Sequence, residues 1–131
     1  VPDDPIWGPA FGDPVLARDN SSGRIYMATQ SHPAYSGGRS KIRILVSTDD
    51  GNTFSSLGVI GSDVQETCDV PSITVDNTGS TAQGQGTIYV AFTQRSLPSQ
   101  LRSDRIRLYR SINQGASFQF LGAFAADDDP N

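Results

Sequence analysis

The chain has 131 residues, the length of one ordinary domain, and a chain of this size can bury roughly two-thirds of the surface that its unfolded form exposes. Its 14 Asp and Glu residues outnumber its 10 Lys and Arg residues, which argues against nucleic-acid phosphates as a partner. No run of 18 apolar residues predicts a membrane-spanning helix, and the single cysteine, Cys68, is expected to be a small buried hydrophobe that forms no internal disulfide.

Apolar runs taken in chain order predict eight β-strands in two repeats of four. In the first repeat they lie in residues 13–19 (DPVLARD), 25–28 (IYMA), 42–44 (IRI) and 57–60 (LGVI). They return, at an offset that grows from 57 to 64, in residues 70–76 (VPSITVD), 88–91 (IYVA), 106–108 (IRL) and 121–124 (LGAF). Short runs rich in Ile, Val, Tyr and Phe between Gly, Asn, Asp and Ser are typical of strands.

The period of about sixty residues favours two four-stranded antiparallel blades of a β-propeller, partial or completed by oligomerisation. Several runs, such as residues 25–28 and 88–92, are apolar without alternation, which predicts that both faces of these strands are covered. A β-sandwich is the alternative fold; it explains the number of strands but not the period. We interpret residues 1–131 as one two-blade unit, with blade 1 at 13–60, blade 2 at 69–124 and linkers at 1–12, 61–68 and 125–131.

A turn motif lies between the third and fourth runs of each repeat. The first turn motif, residues 47–54 (STDDGNTF), fits Ser-x-Asp-x-Gly-x-Thr-aromatic, and the second, residues 111–118 (SINQGASF), replaces Asp by Asn and Thr by Ser. We expect a self-capping hairpin in which the Asp or Asn accepts backbone N–H groups, the Gly takes a positive φ and the aromatic ring is buried beneath the turn. The residues predicted to have this structural role are Ser47, Asp49, Gly51, Thr53, Phe54, Ser111, Asn113, Gly115, Ser117 and Phe118.

The two motifs resemble Asp boxes, also called BNR repeats, which occur in sialidases, sialidase-like bacterial secreted proteins, some xyloglucanases and sortilin-type receptors. The segments 69–76 and 86–92 look especially like those of bacterial extracellular members. The resemblance implies a β-propeller, an extracellular location and a structural Asp49 that lies away from any active site. It implies a fold rather than a function.

Strand order predicts where a ligand would bind. In an antiparallel blade the linkers and the loop between strands two and three emerge at one end, the linker end, and the turn motifs at the other, the motif end. Aromatic, acidic and basic side chains at the linker end suit a carbohydrate or protein ligand, although each also has a purely structural interpretation. The candidate binding residues are Trp7, His32, Tyr35, Arg39, Asp69 and Arg95.

No cofactor is predicted, with calcium as the one alternative. The acidic residues Asp127, Asp128 and Asp129 are interpreted as a solvated linker, but their carboxylates are also of the kind that Ca²⁺ takes. His32 is the only histidine, which excludes a metal site built on a histidine pair.

No catalytic set is recognisable in the sequence. The Arg-Ile-Pro element of sialidases is absent, residues 104–107 (DRIR) resemble it only superficially, and Glu66 and Asp69 are carboxylates without a glycosidase motif around them. We therefore expect a non-catalytic, sialidase-like propeller module for extracellular carbohydrate or protein binding. The alternatives are a fragment of a glycoside hydrolase whose site needs further blades or chains, and a purely structural unit.

Two blades would leave two apolar sheet faces uncovered, and such faces mark sites of association. We therefore expect a homo-oligomer or a part of a longer propeller. Ile44 and Leu108 are the candidate residues that would face a neighbouring chain.

Overall fold

A computed structural model describes residues 12–32, 40–61, 66–79, 84–96 and 104–125. These ranges form two antiparallel four-stranded sheets, ordered β1-β2-β3-β4 (sheet 1) and β5-β6-β7-β8 (sheet 2). The strands are β1 (Val15–Arg18), β2 (Ile25–Ser31), β3 (Lys41–Ser47), β4 (Ser55–Ile60), β5 (Glu66–Val75), β6 (Ile88–Ser96), β7 (Arg105–Ser111) and β8 (Gln119–Ala125). The all-β prediction of two four-stranded antiparallel sheets is confirmed. Neither sheet is closed, and the described ranges contain no helix of the length and hydropathy needed to cross a membrane.

Each sheet is a meander, and its backbone irregularities recur at equivalent positions. The pairing of the third and fourth strands shifts between Ile44 and Leu45 in sheet 1 and between Leu108 and Tyr109 in sheet 2. The non-glycine residues with positive φ are Asp13, Asp50, Val70 and Gln114 in the described ranges, and they form two pairs separated by the repeat offsets of 57 and 64. Because such conformations are uncommon for L-residues, their recurrence shows that the sequence repeat is also a structural repeat.

The hydrophobic core lies between the two sheets. Alternate side chains of β2, β3 and β6 point into it, as strand geometry predicts. Sheet 2 contacts sheet 1 chiefly through β5, which packs against β1, β2 and β3. The fully or nearly fully buried core residues are Tyr26, Ala28, Ile42, Ile44, Val46, Cys68, Ile73, Val75, Ile88, Val90 and Phe92.

The outer faces of the two sheets differ. In sheet 1, Arg43 and Leu45 on the outer side of β3 are fully buried, so this strand is covered on both faces as its apolar run predicts. In sheet 2, Ile106 and Phe124 on the outer face are 45% and 58% exposed. Residues 25–28 and 88–92, the runs for which two covered faces are predicted, are all buried or half-buried. The exposed apolar residues of sheet 2 agree with the expectation that a two-blade unit leaves an outer face uncovered, whereas the buried outer side of β3 departs from that expectation in sheet 1.

Ile44 and Leu108 do not share the environment that we expected. Ile44 is fully buried between the sheets of its own chain, so the prediction that it faces a neighbouring chain is wrong. Leu108, its equivalent in the repeat, pairs with Ala91 and lies on the outer face of sheet 2, because the adjacent Tyr109 packs against the core. Only the second residue is positioned to meet another molecule.

Candidate functional site

The first turn motif uses its aspartate entirely within the turn. The Asp49 carboxylate accepts hydrogen bonds from the Thr53 N–H at 2.9 Å, the Thr53 hydroxyl at 2.6 Å and the Ser47 hydroxyl at 2.7 Å. Ser47 Oγ also accepts the N–H of Gly51, which has a φ of 87°. The hydrogen bonds from Thr53 and Ser47 lower the pKa of Asp49 to about 2. A carboxylate that is ionised at neutral pH and hydrogen-bonded to its own loop is suited to hold the turn and not to act as a general acid.

The second turn motif keeps the same arrangement without the charge. Asn113 Oδ1 accepts from the Ser111 hydroxyl at 2.9 Å and from the Ser117 N–H at 3.0 Å, and Ser111 Oγ accepts the Gly115 N–H at 2.8 Å. The bond between the two side chains runs in the opposite direction from its counterpart in the first motif. Asn113 Nδ2 donates to Ser117 Oγ at 2.7 Å, whereas the Thr53 hydroxyl donates to Asp49. Both replacements in this motif therefore preserve its geometry.

A pair of aspartates that is not among the sequence-based predictions closes the turn after the first strand of each sheet. Asp19 accepts from Ser21 and Ser22, and Asp76 accepts from Thr78. Burial raises the pKa of Asp19, but the hydrogen bonds from the serines outweigh this effect and the pKa is lowered; the bonds from Thr78 lower the pKa of Asp76. The signal in the sequence is an Asp followed two residues later by Ser or Thr, which is typical of an Asx turn.

Asn77 connects these two turns and thereby the motif ends of the two sheets. Its Oδ1 accepts the backbone N–H of Asn20 at 2.8 Å, and its Nδ2 donates to the backbone carbonyl of Arg18 at 2.8 Å. We call this pair of hydrogen bonds the Asn77 clasp. It fixes the position of sheet 2 on sheet 1 through main-chain groups.

Buried polar groups join the two sheets at the linker end. The Cys68 carbonyl accepts hydrogen bonds from Gln30 Nε2 at 2.8 Å and from Ser40 Oγ at 2.6 Å, and the Cys68 N–H donates to the Ser40 carbonyl at 3.2 Å. A parallel bridge pairs Ser40 with Thr67. Cys68 is 1% exposed, which confirms that it is buried. The start of β5 is therefore held against the ends of β2 and β3.

Asp69 and Arg95, two of the candidate binding residues, lie close to this junction on neighbouring strands. Asp69 pairs with Thr93 and Arg95 with Thr67, so both side chains lie on the outer face of sheet 2 at the linker end. Asp69 Oδ1 accepts the N–H of Val70 at 2.9 Å. Arg95 Nε lies 3.8 Å from the Asp104 carboxylate, and the Arg95 side chain is 54% exposed. The structure thus brings an acid and an available guanidinium to one face.

His32 lies at the same end but on sheet 1. It follows the last residue of β2 and is half-buried. The other candidate binding residues, Trp7, Tyr35 and Arg39, lie outside the described ranges, as do the calcium candidates Asp127, Asp128 and Asp129. Across the ranges that are described, no three His, Cys, Asp or Glu side chains are grouped so that they could hold a metal ion.

The backbone of β5 is distorted directly after Asp69. The pairing of β5 with β6 shifts between Asp69 and Ser72, and Val70 has a φ of 49°. A left-handed conformation is strained for a β-branched residue, and here it precedes Pro71, which disfavours helical φ and ψ at the residue before it. Val70 is 59% exposed as a result. Bulges of this kind redirect side chains at the ends of strands.

Two polar residues on the inner side of sheet 2 were not predicted. Gln94, which is 3% exposed, and Arg107 each have one buried atom, Oε1 and Nε respectively, without a hydrogen-bond partner among the described residues. The Arg107 guanidinium lies 5.1 Å from the centre of the Phe120 ring, a cation–π arrangement. No motif marks either residue, because their inward direction depends only on strand register.

The sequence matches no protein-family model, and a search of curated proteins finds no significant match. The functional interpretation therefore depends on the geometry of the two ends of the molecule.

Proposed function

We propose that this chain is a non-catalytic, sialidase-like β-propeller module that binds a carbohydrate or protein ligand outside the cell through its linker end. The observation that carries the proposal is that the polar side chains at the two ends of the molecule are engaged differently. At the motif end the carboxylates of Asp19, Asp49 and Asp76 are engaged in turn hydrogen bonds. At the linker end Asp69 and the exposed Arg95 lie on one face, beside a strained bulge.

The lowered pKa values of the motif-end aspartates argue against a general acid at that end. Glycosidase chemistry uses a carboxylic acid whose pKa is raised so that it can donate a proton to the leaving group. The pKa values of Asp19, Asp49 and Asp76 are instead lowered by hydrogen bonds to their own turns. These three aspartates are therefore suited to hold turns rather than to transfer protons.

An exposed arginine beside an acid suits recognition of a sugar or of an acidic peptide. A guanidinium offers a planar set of donors to hydroxyl or carboxylate oxygens, and its partner orients it. Arg95 has this arrangement with Asp104. Removing the guanidinium should therefore weaken ligand binding without a loss of stability, because exposed ion pairs contribute little to folding.

Glycan-array binding and turnover of fluorogenic sialosides by the 131-residue chain test the proposal together. We expect binding without turnover, and Arg95→Ala should weaken binding at least about tenfold, the effect of losing a charged hydrogen bond. Arg18→Ala is the matched control, because Arg18 is 53% exposed and pairs with Asp50 at the motif end. Turnover would favour a glycoside hydrolase, and neither binding nor turnover would favour a purely structural unit.

A further inference from the structure

The outer face of sheet 2 repeats the face of sheet 1 that sheet 2 covers. Tyr26, Ile42 and Ile60 of sheet 1 lie in or against the core between the sheets. Their equivalents in the repeat are Tyr89, Ile106 and Phe124, and the last two are substantially exposed. An apolar face of this kind marks a site of association. Its composition indicates that its partner resembles the inner face of sheet 2.

Sheet 1 presents the equivalent of that partner surface. Sheet 2 contacts sheet 1 chiefly through β5, whose Ile73 is buried in the core. The equivalent residue in β1 is Leu16, which lies on the outer side of sheet 1, because Val15 and Ala17 pack against the core, and is 60% exposed. Within the chain this contact is made by the first strand of sheet 2, β5. The equivalent contact would therefore use β1 and would not need the outer side of β3, which is already buried.

The groups equivalent to those of the Asn77 clasp are the Asn20 side chain in sheet 1 and the Asn77 N–H in sheet 2, and neither is used within the described part of the chain. Asn20 occupies the position of Asn77 in sheet 1, is exposed, and its side-chain amide contacts no polar group in the part of the chain that the structure describes. Likewise, the Asn77 N–H, which is equivalent to the Asn20 N–H that the clasp binds, has no hydrogen-bond partner among the described residues. Donor and acceptor for a second clasp are thus present at opposite sides of one chain.

We propose that a second copy of this chain docks on the outer face of sheet 2, with the outer side of its β1 on Ile106 and Phe124 and its Asn20 on the Asn77 turn. The contact between copies then repeats the contact within the chain. Two different surfaces meet, so the interface is heterologous, and successive copies either close a ring or extend a chain. The inference does not depend on the ligand-binding role proposed above.

The contact between copies should be weaker than the contact within the chain. Ser72 and Thr74 stand where sheet 1 has Val15 and Ala17, and Arg110 stands in place of Val46. These replacements make the outer face of sheet 2 more polar along β5 and at the end of β7. A less apolar interface gains less from burial, so association should depend on concentration.

Sedimentation equilibrium over a range of micromolar concentrations tests the proposal directly. The average mass of the chain should rise with concentration, and Leu16→Asp and Phe124→Asp should each raise the dissociation constant at least about tenfold, because each places a charge in the interface. Asn20→Ala should raise it several-fold. Both apolar positions are exposed in the single chain, so the variants should fold, as circular dichroism during thermal unfolding would verify. Ile112→Asp is the control, because Ile112 is 76% exposed in the second turn motif, away from both faces.

Mixing the two interface variants separates a heterologous contact from a symmetric one. The Leu16→Asp chain keeps an intact sheet 2 face and the Phe124→Asp chain keeps an intact β1 face, so an equimolar mixture should form a heterodimer although neither chain self-associates. A wild-type chain that stays monomeric at high micromolar concentration would overturn the proposal. Dissociation by Phe124→Asp but not by Leu16→Asp, or a mixture that stays monomeric, would do the same.

Discussion

The two turn motifs have the same backbone and nearly the same hydrogen bonds, but one is built around a carboxylate and the other around an amide. In the first, the Thr53 hydroxyl donates a hydrogen bond to the Asp49 carboxylate, and in the second the Asn113 amide donates one to the Ser117 hydroxyl. The difference shows that the motif requires an oxygen that accepts the chain as it turns, and that it does not require a charge. An acid that an amide replaces without a change of geometry has a structural role.

The largest expected difference between the motifs concerns their glycines. Gly51 and Gly115 have φ values of 87° and 86°, but a Cβ on Gly115 would lie 2.4 Å from Leu57 Cδ1, whereas one on Gly51 would lie 3.8 Å from Ile25 Cδ1. The left-handed conformation alone should cost Gly51→Ala about 1–2 kcal/mol. Gly115→Ala adds a clash beside the core and should cost about 2–4 kcal/mol. Urea unfolding would measure both, and equal losses would show that Leu57 moves aside without cost.

The buried serines should instead behave alike. Ser47 and Ser111 are each 1% exposed, and each accepts the N–H of the motif glycine. Replacement by Ala leaves that N–H without its acceptor, so each variant should lose about 1–3 kcal/mol of unfolding free energy. The exposed Ser56 provides the control, and Ser56→Ala should leave the urea midpoint unchanged. A loss confined to one motif would contradict the equivalence of the two turns.

The smallest expected effect at neutral pH is that of Asp49→Asn, which gives the first motif the chemistry of the second. The amide can accept from the Thr53 N–H, and the Thr53 hydroxyl can accept in return, as Ser117 does. We expect the melting temperature at pH 7 to change by no more than about 3 °C. Asp49→Ala removes the acceptor and should lower the melting temperature further, while ligand binding at the linker end is retained. Loss of binding in a stable Asp49→Ala variant would move the functional site to the motif end.

The two motifs should also differ in how their contribution to stability depends on pH. The pKa of Asp49 is about 2 in the folded chain against an ordinary 3.8, so the unfolded chain takes up its proton first as the pH falls. The stability that this carboxylate provides is therefore complete above about pH 4 and is lost as the pH falls towards 2. The lowered pKa values of Asp19 and Asp76 act in the same direction, and Asn113 contributes nothing. Thermal unfolding at stepped pH should show a shallower acid loss in Asp49→Asn than in wild type; identical profiles would refute this role of Asp49.

Local features of the fold could be predicted because their determinants lie within a few residues of one another. The hydrogen bonds of each turn motif join residues no more than four positions apart, and the strands follow short runs of β-branched and aromatic residues. The environment of each strand face could not be predicted in the same way. Ile44 and Leu108 occupy equivalent positions of the repeat, yet one is buried and the other lies on an outer face, because among the described residues only the first has a sheet packed against it.

The candidate site shows the same limit. Strand order correctly predicts that Asp69, Arg95 and His32 lie at one end of the molecule. The inward direction of Gln94 depends on register, since it shares a face with the core residue Phe92. The left-handed residue before Pro71 recurs at Asp13 and so follows the sequence repeat, whereas the register shift beside it depends on how β5 pairs with β6.

The burial of Cys68 gives the molecule an internal reporter. The only thiol of the chain lies where β5 meets sheet 1, and its own backbone carries the hydrogen bonds of that junction. A thiol reagent reaches such a group only when the surrounding structure opens, so the rate of labelling depends on how often and how far the structure opens. Kinetics of this reaction would give the free energy of the opening that exposes Cys68, without a reporter residue introduced by mutation.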